Sequence, residues 1–308
     1  MTSLGIVFPG QGSQSLGMLA DIAEKYPEVK ATFAEASMIL GFDLWKLTQE
    51  GPAEDLDKTI NTQPALLTAS YAIWRIIQAK KHIQPALFAG HSLGEYTALV
   101  CAGALKFSDT VKLVASRGLY MQEAVPTGEG ALAAIVGLDN DTVKAVCANA
   151  ALDDVLAPAN FNSPGQVVIA GHTAAVFRAI TLAKEAGAKL AKQLPVSVPS
   201  HCVLMKPAAE KLANLLEAIE IQIPILPVIN NADAAIYDNV KSIREGLTRQ
   251  LFMPVRWVEI IQFFNNQHID HIIECGPGKV LSGLNKRIVA DLQLTNTSDL
   301  ANLQNLLA

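Results

Sequence analysis

Residues 88–105, FAGHSLGEYTALVCAGAL, set a serine between Gly90 and Gly94 where an apolar run gives way to a helical pattern. Few local structures account for that spacing. Where a strand turns sharply into a helix, the turn residue is held in a strained conformation, and glycines two residues to either side prevent the crossing backbones from colliding. Ser92 would then stand exposed at the end of a strand. The free amides of the following helix would point at any negative charge developing beside its hydroxyl, as a nucleophile requires. A glycine-rich turn with an incidental serine satisfies the same five residues.

The surrounding pattern is that of an α/β protein. LGIVFPG reads as a buried strand stopped by Pro9-Gly10, and residues 21–40 read as helix broken near Pro27. TQPALLTASYAIWRIIQA is a long apolar helix, PALFAG is the strand feeding the Ser92 turn, and GEYTALVCAGAL is the helix leaving it. Ser108, followed by Asp109, is the expected N-cap of a helix through TVKLVASRGLYMQEAV. Such alternation predicts a parallel sheet covered by helices, with sites gathered at the carboxyl ends of the strands. With 308 residues, half of them hydrophobic and 17% charged, the chain can bury a large core.

Between about 130 and 197 the order changes to strand, helix, strand, strand, helix, strand. This is the βαββαβ order of a ferredoxin-like unit, and Asn162-Ser163-Pro164-Gly165 supplies the turn between its second and third strands. We expect an inserted subdomain, 129–197, within a parallel-sheet domain formed by 1–128 and 198–308. The larger unit resumes with a helix from His201, a strand LPVINN, a strand HIIECG, and PGKVLSGLNKRIV turning into helix. The cleft between the two units is the expected site.

A formal net charge of −5 argues against nucleic acid as the main partner. Cys101, Cys147, Cys202 and Cys275 are far apart in sequence, without a C-x-x-C pair, so neither a zinc site nor a disulfide framework is indicated. That usage suits a reducing cytoplasm. No basic leader and no apolar run of about 18 residues is present, so neither export nor a membrane span is expected.

A serine nucleophile needs a base. Of six histidines, His82 lies in a polar loop, His268 and His271 flank a late strand, His172 belongs to the small unit, and His91 on the turn should point away from the serine. His201, in PVSVPSHC, ends an apolar strand as Ser92 does. It is the favoured base, with a helix-cap histidine as the alternative. The best-placed acids, Asp153 and Asp154, fall in the small unit, so a backbone carbonyl is the alternative acceptor for orienting the imidazole. Arg117 shares a helical face with Leu113, Val114, Tyr120 and Met121, which predicts a partly buried guanidinium in need of an anion. Either one of the protein's own carboxylates or a substrate carboxylate would serve.

Taken together, FPGQGSQ (8–14), GHSLGEY (90–96), Arg117 in SRG, NFNSPGQVVIAG (160–171), VPSH (198–201), QLFMPVRW (250–257) and ECGPGKVLSGL (274–284) resemble the malonyl-CoA:acyl carrier protein transacylases of bacterial fatty acid synthesis. The likeness runs in order over essentially the whole chain. It implies an α/β-hydrolase-like domain with a ferredoxin-like insertion, and ping-pong transfer through a malonyl-serine ester. It also implies Ser92 as nucleophile, His201 as base, the amides of Gln11 and Leu93 as oxyanion donors, and Arg117 as the clamp for the malonyl carboxylate. Gln250 would orient His201 through its main-chain carbonyl, and Gln11, Asn160, Asn162 and His91 would contact substrate. The implied partners are malonyl-CoA, as substrate, and an acidic acyl carrier protein. No cofactor or metal is implied, and we expect a monomer. Met253 and Cys275 depart from the pattern of the relatives, away from this chemistry.

Three other readings share parts of the pattern: a serine esterase or thioesterase, a non-catalytic carrier-binding module, and a polyketide-type acyltransferase with a bulkier extender unit. The first would not need a buried Arg117. An acidic enzyme with an acidic carrier needs a local basic patch, for which Lys189, Lys192, Lys286 and Arg287 are the candidates.

Overall fold

The computed structural model describes residues 3–196 and 198–308. Five short strands form a parallel sheet in the order β7-β2-β1-β8-β9. They are β1 (Leu4–Phe8), β2 (Leu87–Gly90), β7 (Val228–Ile229), β8 (His271–Glu274) and β9 (Gln293–Asn296). The central strand β1 is apolar because both of its faces are covered. Ile6 and Phe8 pack with Phe88 into the larger core under the helices before and after β2, while Val7, Leu87 and Ala89 meet Trp257, Ile260 and Phe264 on the other side. Phe8 pairs with Gly90 and Val7 with Glu274, so the strands end level beside the Ser92 turn.

The second sheet is antiparallel, in the order β4-β5-β3-β6. It comprises β3 (Gly130–Val136), β4 (Leu156–Ser163), β5 (Gln166–His172) and β6 (Leu190–Gln193), with helices Asn140–Ala151 and Thr173–Glu185 in the predicted βαββαβ sequence. Alternation divides its residues between two faces. Ala131, Ala133 and Ile135 of β3 pack on those helices, whereas Leu132 and Val168 turn the other way, toward the parallel-sheet unit. The fold is therefore the predicted mixed α/β arrangement, a parallel sheet with a separate small antiparallel one.

Local expectations needed correction in four places. The helix expected from a Ser108 cap starts at Phe107 after Lys106, with no side-chain cap. Instead of a helix from His201 there is a 3₁₀ turn, Val203–Met205, and then a helix Lys206–Ala218. The last strand of the small unit stops at Gln193, short of Pro195, whose missing N–H suits it poorly to a ladder. Asn162 and Ser163, expected in a turn, belong to β4, and Pro164-Gly165 alone connect it to β5. The edge strand β9 was not anticipated.

Candidate active site

Only His91 and Ser92 separate β2 from the helix Leu93–Cys101. Ser92 has φ 51° and ψ −107°, a conformation that costs an L-residue about 1–3 kcal/mol. The flanking glycines have the reason the sequence suggested. A Cβ on Gly90 would lie 1.9 Å from the Gly94 carbonyl carbon, and one on Gly94 would lie 2.1 Å from the Phe8 carbonyl oxygen. Asn231 fastens the turn from below: its Oδ1 accepts from the Ser92 amide at 2.7 Å, and its Nδ2 donates to the Gly90 carbonyl at 2.7 Å.

His201 is brought to this serine by a second strained residue position, φ 62°, with its amide donating to Leu251 O at 2.9 Å. Its Nδ1 donates to the main-chain carbonyl of Gln250 at 2.7 Å. Gln250 ends the helix Val240–Gln250, where carbonyls lack intrahelical partners, so the acceptor comes from backbone geometry rather than from an acid. With the proton on Nδ1, the lone pair sits on Nε2, 2.9 Å from Ser92 Oγ. Burial, reinforced by the charge of Arg117, pushes the imidazole down to about 3. It is neutral and able to accept a proton at any pH near neutrality. We therefore expect the acid limb of kcat/KM to lie well below 6.5, the value of an exposed imidazole. A limb at 6.5 in a pH–rate profile would contradict this desolvation.

Arg117 projects from the helix Phe107–Glu123 and is 1% exposed. Its Nη1 donates to Gln63 Oε1 at 2.8 Å, and its Nη2 donates to Gln250 Oε1 at 2.9 Å and to Ser92 Oγ at 3.3 Å. The guanidinium carbon lies 5.2 Å from the Tyr96 ring centroid, and Nε has no hydrogen-bond partner among the described residues. Among the described residues no carboxylate reaches it within ion-pair distance. Of the two anions open to the sequence reading, the protein's own carboxylate is thus not directly paired.

Gly118 sets this position. A Cβ there would come within 2.7 Å of Ile60 Cα and of Thr59 O, on the helix Thr59–Lys80 that carries Gln63. Gly118→Ala should separate the two helices at a cost of about 1–3 kcal/mol, and draw Gln63 off Arg117. Melting temperature and the preference of the site for anionic over neutral acyl groups should fall together. An unchanged preference would mean that the crossing does not place the guanidinium.

These groups line a cavity of about 200 Å³ between the two sheets, with Gln11, Leu93, Leu132, Asn160, Asn162 and Val168 among its walls. His91 also lines it. Its Nε2 lies 2.9 Å from Asn162 Oδ1, and burial lowers its pKa. Gln11 Oε1 accepts from Thr59 Oγ1 at 2.5 Å. The amides of Gln11 and Leu93 have no acceptor among the described residues. Among those residues there is also no group of three or more His, Cys, Asp or Glu able to hold a metal, and no helix long and apolar enough to cross a membrane.

A sequence profile described as the acyl transferase domain matches residues 6–283. The chain belongs to the acyl transferase domain family. Within the family, it is 56% identical over 303 residues to the malonyl CoA-acyl carrier protein transacylase of Salmonella typhimurium, covering 98% of each chain. It is 58% identical over 292 residues to the protein of that name from Escherichia coli K12, covering 95% of this chain and 94% of the relative. Among solved structures, an acyl carrier protein S-malonyltransferase from Vibrio cholerae superposes with a TM-score of 0.97 at 56% identity, covering 99% of this chain and all of that one. A malonyl-transacylase in complex with its type II PKS acyl-carrier protein gives 0.98 at 55% identity, with 99% of each chain covered.

Three residues of this acyl transferase site escaped the sequence reading. Gln63 lies in an apolar helix, where one amide looks like any polar interruption. Glu95 reads as an ordinary first-turn acid, favourable at any helix N-terminus. Asn231 ends the strand LPVINN expected from the sequence, a common place for asparagine.

Proposed function

We propose that this protein is a malonyl-CoA:acyl carrier protein S-malonyltransferase supplying extender units for fatty acid synthesis. The observation that carries the reading is Arg117, buried, with no carboxylate within ion-pair distance among the described residues, and 3.3 Å from the hydroxyl of a serine–histidine pair. Such a cation awaits an anion joined by a short linker to an electrophile, and a malonyl thioester has that form.

Ser92 Oγ attacks the thioester carbonyl while His201 Nε2 takes its proton. The tetrahedral oxyanion is held by the amides of Gln11 and Leu93, and Arg117 holds the carboxylate. Collapse expels the coenzyme A thiolate, which receives the proton from His201, and leaves a malonyl-serine ester. The phosphopantetheine thiol of the carrier then attacks the ester, giving its proton to His201, which returns it to Ser92. Gln11, Asn160, Asn162 and His91 flank the acyl chain. No cofactor is required. In this reading the protein acts as a monomer, and four free, buried cysteines suit a reducing cytoplasm.

Intact mass after incubation with malonyl-CoA tests the reading. The protein should gain one malonyl group, on Ser92, and lose it when carrier protein is added. Loss to water at the same rate without carrier would return the protein to the esterases.

The carrier is acidic, so its dock should be basic. The Gly137 amide donates to Gly165 O at 2.8 Å, Lys189 packs against Gly137, and Arg287 Nη1 donates to Gln166 Oε1 at 2.7 Å. These contacts gather Lys189 and Arg287 at one end of the small sheet, with Lys286 next in sequence, while Lys192 lies on β6 opposite Ala134. Charge reversal at Lys189, Lys286 or Arg287 should raise the carrier concentration needed for half-maximal transfer and spare acylation by malonyl-CoA. Equal change in both half-reactions would place the dock elsewhere.

A further inference from the structure

Beneath the Ser92 turn lies a buried acid that this mechanism does not use. Glu95 is 0% exposed, in the first turn of the helix Leu93–Cys101. Three donors converge on its carboxylate: the Tyr237 hydroxyl on Oε1, and on Oε2 the Asn231 amide at 2.9 Å and Gln250 Nε2 at 2.8 Å. Two of them also hold the site. Asn231 fastens the turn, and Gln250 Nε2 donates again to Ser92 O at 2.9 Å. Because the amide NH₂ of Gln250 is drawn to Glu95, its oxygen is left facing Arg117.

We propose that Glu95 is a positioning residue and the resident counter-charge of Arg117, acting through Gln250, against which an arriving malonyl carboxylate must compete. The proposal rests on the malonyl-transfer reading. A buried guanidinium surrounded by neutral amide oxygens needs compensation nearby. The titratable groups facing Glu95 are Arg117 from the helix Phe107–Glu123, Tyr237 from the segment before the helix Val240–Gln250, with the Asp233–Arg249 pair behind it, and Tyr96 beside it on its own helix. Arg249 is offset by Asp233, which leaves Arg117 as the uncompensated cation. Burial raises the Glu95 carboxyl to about 7 against the opposing pull of Tyr237, Gln250, Asn231 and Arg117, so both protonation states are accessible near neutrality.

The sign follows. Above this pH the carboxylate is ionised, offsets Arg117 and repels a second carboxylate, so malonyl binding weakens as pH rises. Below it Glu95 is neutral and the clamp carries its full charge. Glu95→Gln fixes the neutral state and can keep the contacts, its oxygen toward Asn231 and Gln250 and its NH₂ toward the Tyr237 oxygen.

Single-turnover acylation of Ser92 is measured from pH 6 to 8 in wild type, Glu95→Gln and Tyr237→Phe, with acetyl-CoA as a control that shares the coenzyme but lacks the carboxylate. Half-saturating malonyl-CoA should rise about tenfold over this range in wild type, the scale of a unit charge acting across several ångströms at an effective dielectric near 20. It should stay low and flat in Glu95→Gln, and acetyl-CoA should show no such rise. Tyr237→Phe removes a hydrogen bond to the ionised form, so the transition should move to higher pH. A wild-type slope retained in Glu95→Gln, or a transition in Tyr237→Phe that stays put or moves down, overturns the proposal. Tyr237→Phe decides alone if the glutamine variant does not fold. Absence of any acylation refutes malonyl transfer itself, whereas acylation with a flat wild-type profile refutes only the role of Glu95.

Discussion

Ser92→Ala is expected to abolish acyl-enzyme formation, and His201→Ala to slow it by about 10² to 10⁴, the usual scale of general base assistance. The first loss is total because no other hydroxyl stands 2.9 Å from His201 Nε2 among the described residues. The second is partial, since Arg117 and the free amides of Gln11 and Leu93 survive it. Neither change should unfold the chain. Alanine keeps the Cβ that the turn already accommodates, and the Ser92 amide and carbonyl keep their bonds to Asn231 and Gln250. Ser92→Gly separates fold from function more sharply. At φ 51° glycine relieves strain, so this inactive variant should be more stable than wild type by about 1–2 kcal/mol. Intact mass and thermal melting are the two measurements. A Ser92→Ala protein that still transfers malonyl groups would end the assignment of the nucleophile, and an unfolded one would show that the serine is structural.

The elbow was legible because steric exclusion is local: glycine at 90 and 94 is required by atoms within a few residues, or on the adjacent strand. Arg117 was legible for a similar reason, since the apolar face it shares is a property of one helix. His201 was favoured from its place at a strand end, although the local structure around it was misread. A positive φ and a 3₁₀ turn have no periodicity to detect. Gln250 came through resemblance alone, because a main-chain carbonyl acts as acceptor whatever side chain it carries. Gln63, Glu95 and Asn231 act by long-range hydrogen bonds, spanning 54 residues to Arg117 in the case of Gln63, and nothing local to them announces the partner. The same holds for β9, whose four residues QLTN have too little apolar content to mark a strand.

Replacing Arg117 should convert a malonyl-selective enzyme into one that tolerates short neutral acyl groups. In wild type an acetyl group brings the guanidinium no carboxylate, and breaking a buried ion pair by removing one member costs about 3–5 kcal/mol. Malonyl should accordingly be preferred over acetyl by about two to four powers of ten in kcat/KM, each 1.4 kcal/mol being tenfold. Arg117→Ala removes the charge but leaves Ser92 and His201 in place, so malonyl transfer should collapse while acetyl transfer holds or improves. Without the cation beside it His201 becomes a stronger base, which favours whichever acyl group still binds. Arg117→Lys restores charge without the fork that reaches Gln63 and Gln250 at once, and should recover only part of the preference. The measurement is acyl-enzyme formation from malonyl-CoA and acetyl-CoA with all three proteins. If Arg117→Ala kept the full malonyl preference, the guanidinium would be a brace between Gln63 and Gln250, and the carboxylate would have to be bound by another donor in the cavity.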